Sequence, residues 1–224
     1  MKKRFLYLEF LLLCTLFIIP PIFTKSIKIN ENTFSFSWFI IAAVLVAFVL
    51  FFQFEYENLP LKNASKIQYL VFAGKVFFYF GFLIIFHIIF VILSLFLPAD
   101  IISKLGPQTD INLKFSAPKI ILILFTFLCS AFYEEVMYRL YLPEIIKKFC
   151  GTKAQNKIIS YLIEFICITI FALAHRYLGI LAVVNAFIGG IILRLEYLKT
   201  KTVLCGTVSH FLYNSTILLV GVLL

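Results

Sequence analysis

Residues 130–139 read SAFYEEVMYR and close a run, KIILILFTFLC, that otherwise has the composition of a membrane span. Two adjacent glutamates and an arginine stand where lipid is expected. On a helix Glu135 and Arg139 are four residues apart on one face, glutamate first, which is the favourable order for an ion pair. Glu134 is turned ~100° from Glu135. The spacing lets Arg139 neutralise Glu135 and leaves Glu134 free. A free carboxylate in a water-poor site is a candidate general base. The alternative is one structural network in which all three charges pin helices together.

Two further groups lie in later apolar runs. Phe171-Ala-Leu-Ala-His175 ends one run, and its histidine reads as a catalytic partner or as an interfacial side chain facing headgroups. His210-Phe-Leu-Tyr-Asn214 lies in the last run, with His210 and Asn214 one turn apart on one face. Both can donate hydrogen bonds, and two converging donors suit an oxyanion; a polar pair joining helices is the alternative. Together the groups supply a carboxylate base, a histidine partner and paired donors. That set suits general-base activation of water against a peptide carbonyl.

Other polar residues carry less. Glu9 lies near the N-terminal charges, Lys75 is placed to reach an interface along its stem, and His87 reads as a packing residue. Asn185 adds an amide within an apolar run. Glu164 lies eleven residues before His175, on the same helical face, as an entrance or supporting residue. The cysteines (Cys14, Cys129, Cys150, Cys167, Cys205) are scattered without a CxxC and read as small core residues.

The elements that must position these groups follow from composition. The chain of 224 residues is 62% hydrophobic and 14% charged, with a mean hydropathy of +1.04. Soluble domains are about half apolar and about a quarter charged. The chain therefore reads as an integral membrane protein, and its continuous, non-alternating apolar runs point to helices rather than a barrel. Runs at roughly 5–24, 36–54, 70–97, 118–141, 158–175, 179–197 and 203–223 approach the ~20 residues a span needs. The expectation is an all-α polytopic membrane helix bundle of about seven transmembrane helices, at most eight. The third run is long enough to tilt or break near Gly81, and 98–117 reads as a loop over the outer surface.

The N-terminus, MKKRFLYLEFLLLCTLF, resembles a signal peptide but has no A-x-A cleavage site, so a retained first helix is expected. Basic residues including Lys2, Lys3, Arg4, Lys147, Lys148, Lys153, Lys157, Arg194, Lys199 and Lys201 place the N-terminus in the cytoplasm by the positive-inside rule. The net charge of +9 thus sets topology and meets anionic headgroups. No Arg-rich stripe or aromatic-basic pattern supports nucleic-acid binding. The chain reads as a single transmembrane domain, 1–224, with no repeat or linker.

EEVMYR, FALAH and HFLYN, in that order, resemble the motifs EExxxR, FxxxH and HxxxN of the CAAX-protease and bacteriocin-processing family (CPBP, or Abi). These are glutamate-dependent intramembrane proteases related to the type II CAAX prenyl endopeptidases. LYLPEI and GGIILRLEYLKTKTVLCGTVSHFLYN also resemble the family. The resemblance covers roughly 118–216, a catalytic core preceded by N-terminal membrane helices over 1–117. It implies that Glu134 activates water with help from His175, that His210 and Asn214 form an oxyanion hole, and that Glu135 and Arg139 hold the site in shape. It also implies a peptide or membrane-protein substrate; no cofactor is expected, with zinc as the alternative. A compact chain of this kind is expected in a bacterial inner membrane.

Depth sets a condition on this site. A fourth helix ending at Leu142 would put Glu134 ~12 Å from its end, and a fifth starting at Lys157 would put His175 ~27 Å in. The two meet if residues 143–149 continue as helix past Pro143 and the fifth helix starts a turn after Lys157. Two other readings stand beside hydrolysis by Glu134. Glu134, His175 and His210 could hold zinc, though no HExxH pair is present. The chain could also be a scaffold or immunity protein that binds a membrane partner without cleaving it. A transporter is weaker, because no inverted repeat is visible.

Overall fold

Apolar runs of this length must satisfy their backbone polar groups internally, and helices do so within one segment. The computed structural model describes residues 3–25, 28–29, 37–56, 65–106, 108–109 and 116–223. The N-terminal helix runs as α1 (Lys3–Leu13), a π-helical turn (Cys14–Ile18) and α2 (Ile19–Phe23). Then come α3 (Trp38–Phe54), α4 (Lys66–Ser94) and the short α5 (Ala99–Leu105). Next is α6 (Ala117–Glu134), which passes through a π-helical segment, Glu135–Tyr141, into α7 (Leu142–Cys150). α8 (Lys157–Leu173), α9 (Ile180–Thr200) and α10 (Val203–Leu223) complete the fold. A two-residue parallel pairing joins Lys28–Ile29 to Gln108–Thr109.

The fold is an all-α polytopic membrane bundle. Among the described residues, five stretches have the length and apolarity to cross a membrane: Arg4–Phe23, Lys66–Ser94, Ala117–Gln155, Ile180–Thr200 and Val203–Val220. The other two expected spans fall on the 17-residue helices α3 and α8, at the lower end of the ~17–25 residues that span a bilayer.

Local chemistry explains several boundaries. Ser65 and Gln68 form a reciprocal capping box at the start of α4. Asn156 accepts from the Ile158 amide at 2.9 Å and starts α8 at Lys157, so the expected start one turn later does not hold. α4 runs unbroken through Gly81, because no side chain presses on that position and the backbone ladder continues. The 98–117 stretch is not all loop: it contains α5, started by Pro98 and stopped by Gly106. Gly179, at φ 102°, joins α8 to α9. A Cβ there would lie 2.7 Å from the Leu105 carbonyl oxygen, so only glycine lets α5 close onto this turn.

α10 packs against α4, α6 and α9, α8 packs along α9, and α3 lies on α6 and the π segment. All seven residues of the π segment are buried, and the main hydrophobic cluster surrounds them. Residues 143–149 are helical, as the depth condition requires. Pro143 falls in the first turn of α7, where its missing N–H is tolerated.

Candidate active site

Glu134 is the last residue of α6 and faces two histidines from other helices. Its Oε2 lies 3.8 Å from His175 Nε2 and 3.8 Å from His210 Nε2. That oxygen has no hydrogen-bond partner among the described residues. The Glu134 and His175 side chains keep 20% and 21% exposure, so the cluster is not sealed. The meeting of Glu134 and His175 does not need a late start of α8. The continuous run from α6 through α7 brings the two helices to one level.

The second nitrogen of each histidine is also held. His175 Nδ1 lies 3.0 Å from the Phe171 carbonyl oxygen. A carbonyl only accepts, so Nδ1 carries the hydrogen and a neutral ring turns its Nε2 lone pair toward Glu134. His210 Nδ1 lies 3.1 Å from Glu135 Oε1. Glu135 is fully buried, and its Oε2 pairs with Arg139 Nε at 3.4 Å. The i,i+4 ion pair read from spacing is thus present, and Glu135 has a further partner in His210. Gly206, one turn before His210, makes room for this contact: a Cβ there would sit 2.8 Å from Glu135 Oε2.

Phe171 is the hub of the cluster. The Arg139 guanidinium carbon lies 3.7 Å from its ring centroid, and the His175 and His210 rings lie 4.7 and 6.2 Å away. The ring gives the buried cation a π face and meets both imidazoles in edge contacts. The three Arg139 nitrogens have no hydrogen-bond partner among the described residues, nor do Glu134 Oε2 and Glu135 Oε2. Buried polar atoms without partners are where bound water belongs. Asn214 follows His210 by one turn on α10 and is half-buried.

Other polar residues fall outside this cluster. Glu164 is clasped by Arg194 of α9 and by Lys147 of α7. Arg194, whose charge the topology rule counts on the cytoplasmic side, is 4% exposed. Glu196 belongs to no motif in the sequence; it is fully buried and accepts from Ser209 Oγ at 2.6 Å. Glu55 is likewise outside every motif, yet its carboxylate accepts from the Val203 amide at 3.0 Å and from the Thr202 hydroxyl at 2.6 Å. A carboxylate from the end of α3 thereby caps α10, the helix that carries His210 and Asn214. An ionisable residue inside an apolar run was the available signal for Arg194 and Glu196; Glu55 comes after its run and gives none. His87 has partners beyond simple packing: Asn185 Nδ2 donates to Tyr213 Oη at 2.8 Å, and Tyr213 Oη lies 3.0 Å from His87 Nδ1. Among the described residues, no group of three or more His, Cys, Asp or Glu is arranged to hold a metal ion.

Residues 116–216 match the family model described as type II CAAX prenyl endopeptidase Rce1-like. No curated protein and no solved structure matches the chain. The matched stretch holds Glu134, Glu135, Arg139, His175, His210 and Asn214 and is embedded in long apolar helices. Over that stretch, somewhat less than half of the chain, the protein is similar to the Rce1-like type II CAAX prenyl endopeptidases, and its long apolar helices mark it as an integral membrane protein.

Proposed function

We propose that the protein is a glutamate-type intramembrane endopeptidase in which Glu134 and His175 activate water and His210 and Asn214 bind the oxyanion. The observation that carries this reading is the convergence of Glu134 Oε2 with two imidazole Nε2 atoms at 3.8 Å each. That separation is too long for direct hydrogen bonds and fits a water bridging them. A carboxylate and a lone-pair nitrogen are both acceptors, and water supplies the two hydrogens they need.

Glu134 takes a proton as the water oxygen attacks the scissile carbonyl, and returns it to the leaving amine when the tetrahedral intermediate collapses. The oxyanion meets the Asn214 amide and His210 Nε2. For Nε2 to donate while Nδ1 faces Glu135, the His210–Glu135 pair must hold a second proton. The substrate is a peptide near the C-terminus of a membrane-associated protein, reached from a bacterial inner membrane with the N-terminus of the enzyme in the cytoplasm.

The test is cleavage of an isoprenylated peptide with a CAAX-type terminus by the purified protein in lipid vesicles. Wild type should cleave it, and Glu134→Ala and His175→Ala should not, although both insert. Full activity in either variant would overturn the mechanism.

A second reading, zinc held by Glu134, His175 and His210, has the histidine orientations in its favour, although these residues are not spaced as a metal site among the described residues. Both histidines spend Nδ1 on a carbonyl or carboxylate and turn Nε2 toward Glu134, which is how zinc-binding histidines are usually oriented. Stoichiometric zinc in the purified protein and loss of cleavage on chelation would favour zinc over direct water activation.

A further inference from the structure

We infer that Arg194 is a positioning residue that holds the Glu134–Glu135 pair in place through the main-chain carbonyl of Arg139. The inference deepens the reading of Glu134 as the base and rests on it.

In an α-helical register, the Arg139 carbonyl would accept from the N–H of residue 143. That residue is Pro143, which has no N–H. The π-helical pitch of Glu135–Tyr141 replaces this ladder with a wider one around the same carbonyl. The Arg139 carbonyl is buried in the bundle, where an unpaired acceptor is costly. Arg194 Nη1, from α9, donates to it.

Arg194 is held in turn. Its Nε and Nη2 donate to the two oxygens of Glu164 on α8, at 2.5 and 2.6 Å. Lys147 Nζ of α7 donates to Glu164 Oε1 at 2.9 Å. One guanidinium fork thus ties three elements to the turn that comes after the catalytic glutamate. A compact ammonium could keep the charge toward Glu164, but it lacks the planar fork that serves both partners at once. Without the donor, the segment has reason to rewind. A change of register by one residue turns the side chains on one side of the segment by ~100° relative to those on the other, which would move Glu134 and Glu135 relative to Arg194 and the helices it joins.

The experiment uses the full chain in lipid vesicles and the variants Arg194→Lys and Glu164→Gln. Three quantities are read: backbone hydrogen exchange over Glu135–Tyr141, the thermal midpoint, and kcat and KM on the isoprenylated peptide. For Arg194→Lys, exchange in that segment should rise by about tenfold or more, the factor that loss of one charge-assisted hydrogen bond corresponds to. Its kcat should fall on the order of 10²-fold with KM near wild type, as for a small misplacement of a catalytic group. Glu164→Gln keeps the arginine donor but removes its charged anchor, so it should fall between wild type and Arg194→Lys on both readouts. If Arg194→Lys does not fold, Glu164→Gln alone decides. The inference is overturned if exchange over Glu135–Tyr141 is unchanged in the variants that fold. It is also overturned if only the thermal midpoint falls while kcat is kept, since the cluster would then be a helix clasp. If wild type does not cleave the peptide, the proposed function fails on that substrate, and the exchange measurement decides the positioning role by itself.

Discussion

Glu134 and Glu135 are neighbours with opposite surroundings. Glu134 is partly open, faces two imidazoles and has an oxygen without a partner among the described residues. Glu135 is sealed between His210 and Arg139. Disturbing each should therefore fail differently. Glu134→Ala should abolish cleavage and leave the thermal midpoint near wild type, because no satisfied bond is lost. Arg139→Met should lose both, since it strands a buried carboxylate, at a cost of roughly 3–5 kcal/mol. Parallel cleavage and thermal-unfolding measurements on the two variants check this. His210→Ala should lower kcat by on the order of 10²-fold if its ring donates to the oxyanion.

At the scale of elements, the site depends on how α10 meets its neighbours. Gly206 lets α10 approach the π segment closely enough for Glu135 to reach His210. Gly206→Ala should push Glu135 from that position, lowering activity and the thermal midpoint together, whereas alanine elsewhere in an apolar helix is favourable. The start of α10 is fixed from outside by Glu55. Glu55→Ala should cost roughly 1–2 kcal/mol, the range for loss of a helix cap, and denaturant unfolding would show it. Frayed exchange confined to the first turn of α10 would identify the cap as the cause.

For the whole molecule, the helices before residue 116 do more than anchor. The end of α3 supplies the Glu55 cap, and α1 and α2 bracket a π-helical turn whose Phe17 carbonyl accepts from Tyr133 Oη at 3.1 Å, next to Glu134. α4 joins α9 and α10 through His87, Asn185 and Tyr213. Tyr213→Phe removes the shared hydroxyl and should cost about 1 kcal/mol, seen as a lower thermal midpoint with cleavage kept. A full loss of cleavage would mean that α4 sets the catalytic geometry and does not merely pack on it.

Membrane residence, the helical fold class and the polar groups that converge on the site were legible because they depend on composition and on spacings of four residues. The Glu135–Arg139 pair is local, so helix periodicity alone locates it. Only the tertiary structure decided the partners that lie far along the chain: Glu135 for His210, Arg194 for the Arg139 carbonyl, and Glu55 for the start of α10. Periodicity says which face of a helix a residue occupies. It does not say which other helix that face meets, and here that meeting determines whether a carboxylate faces two imidazoles, caps a helix or clasps its neighbours.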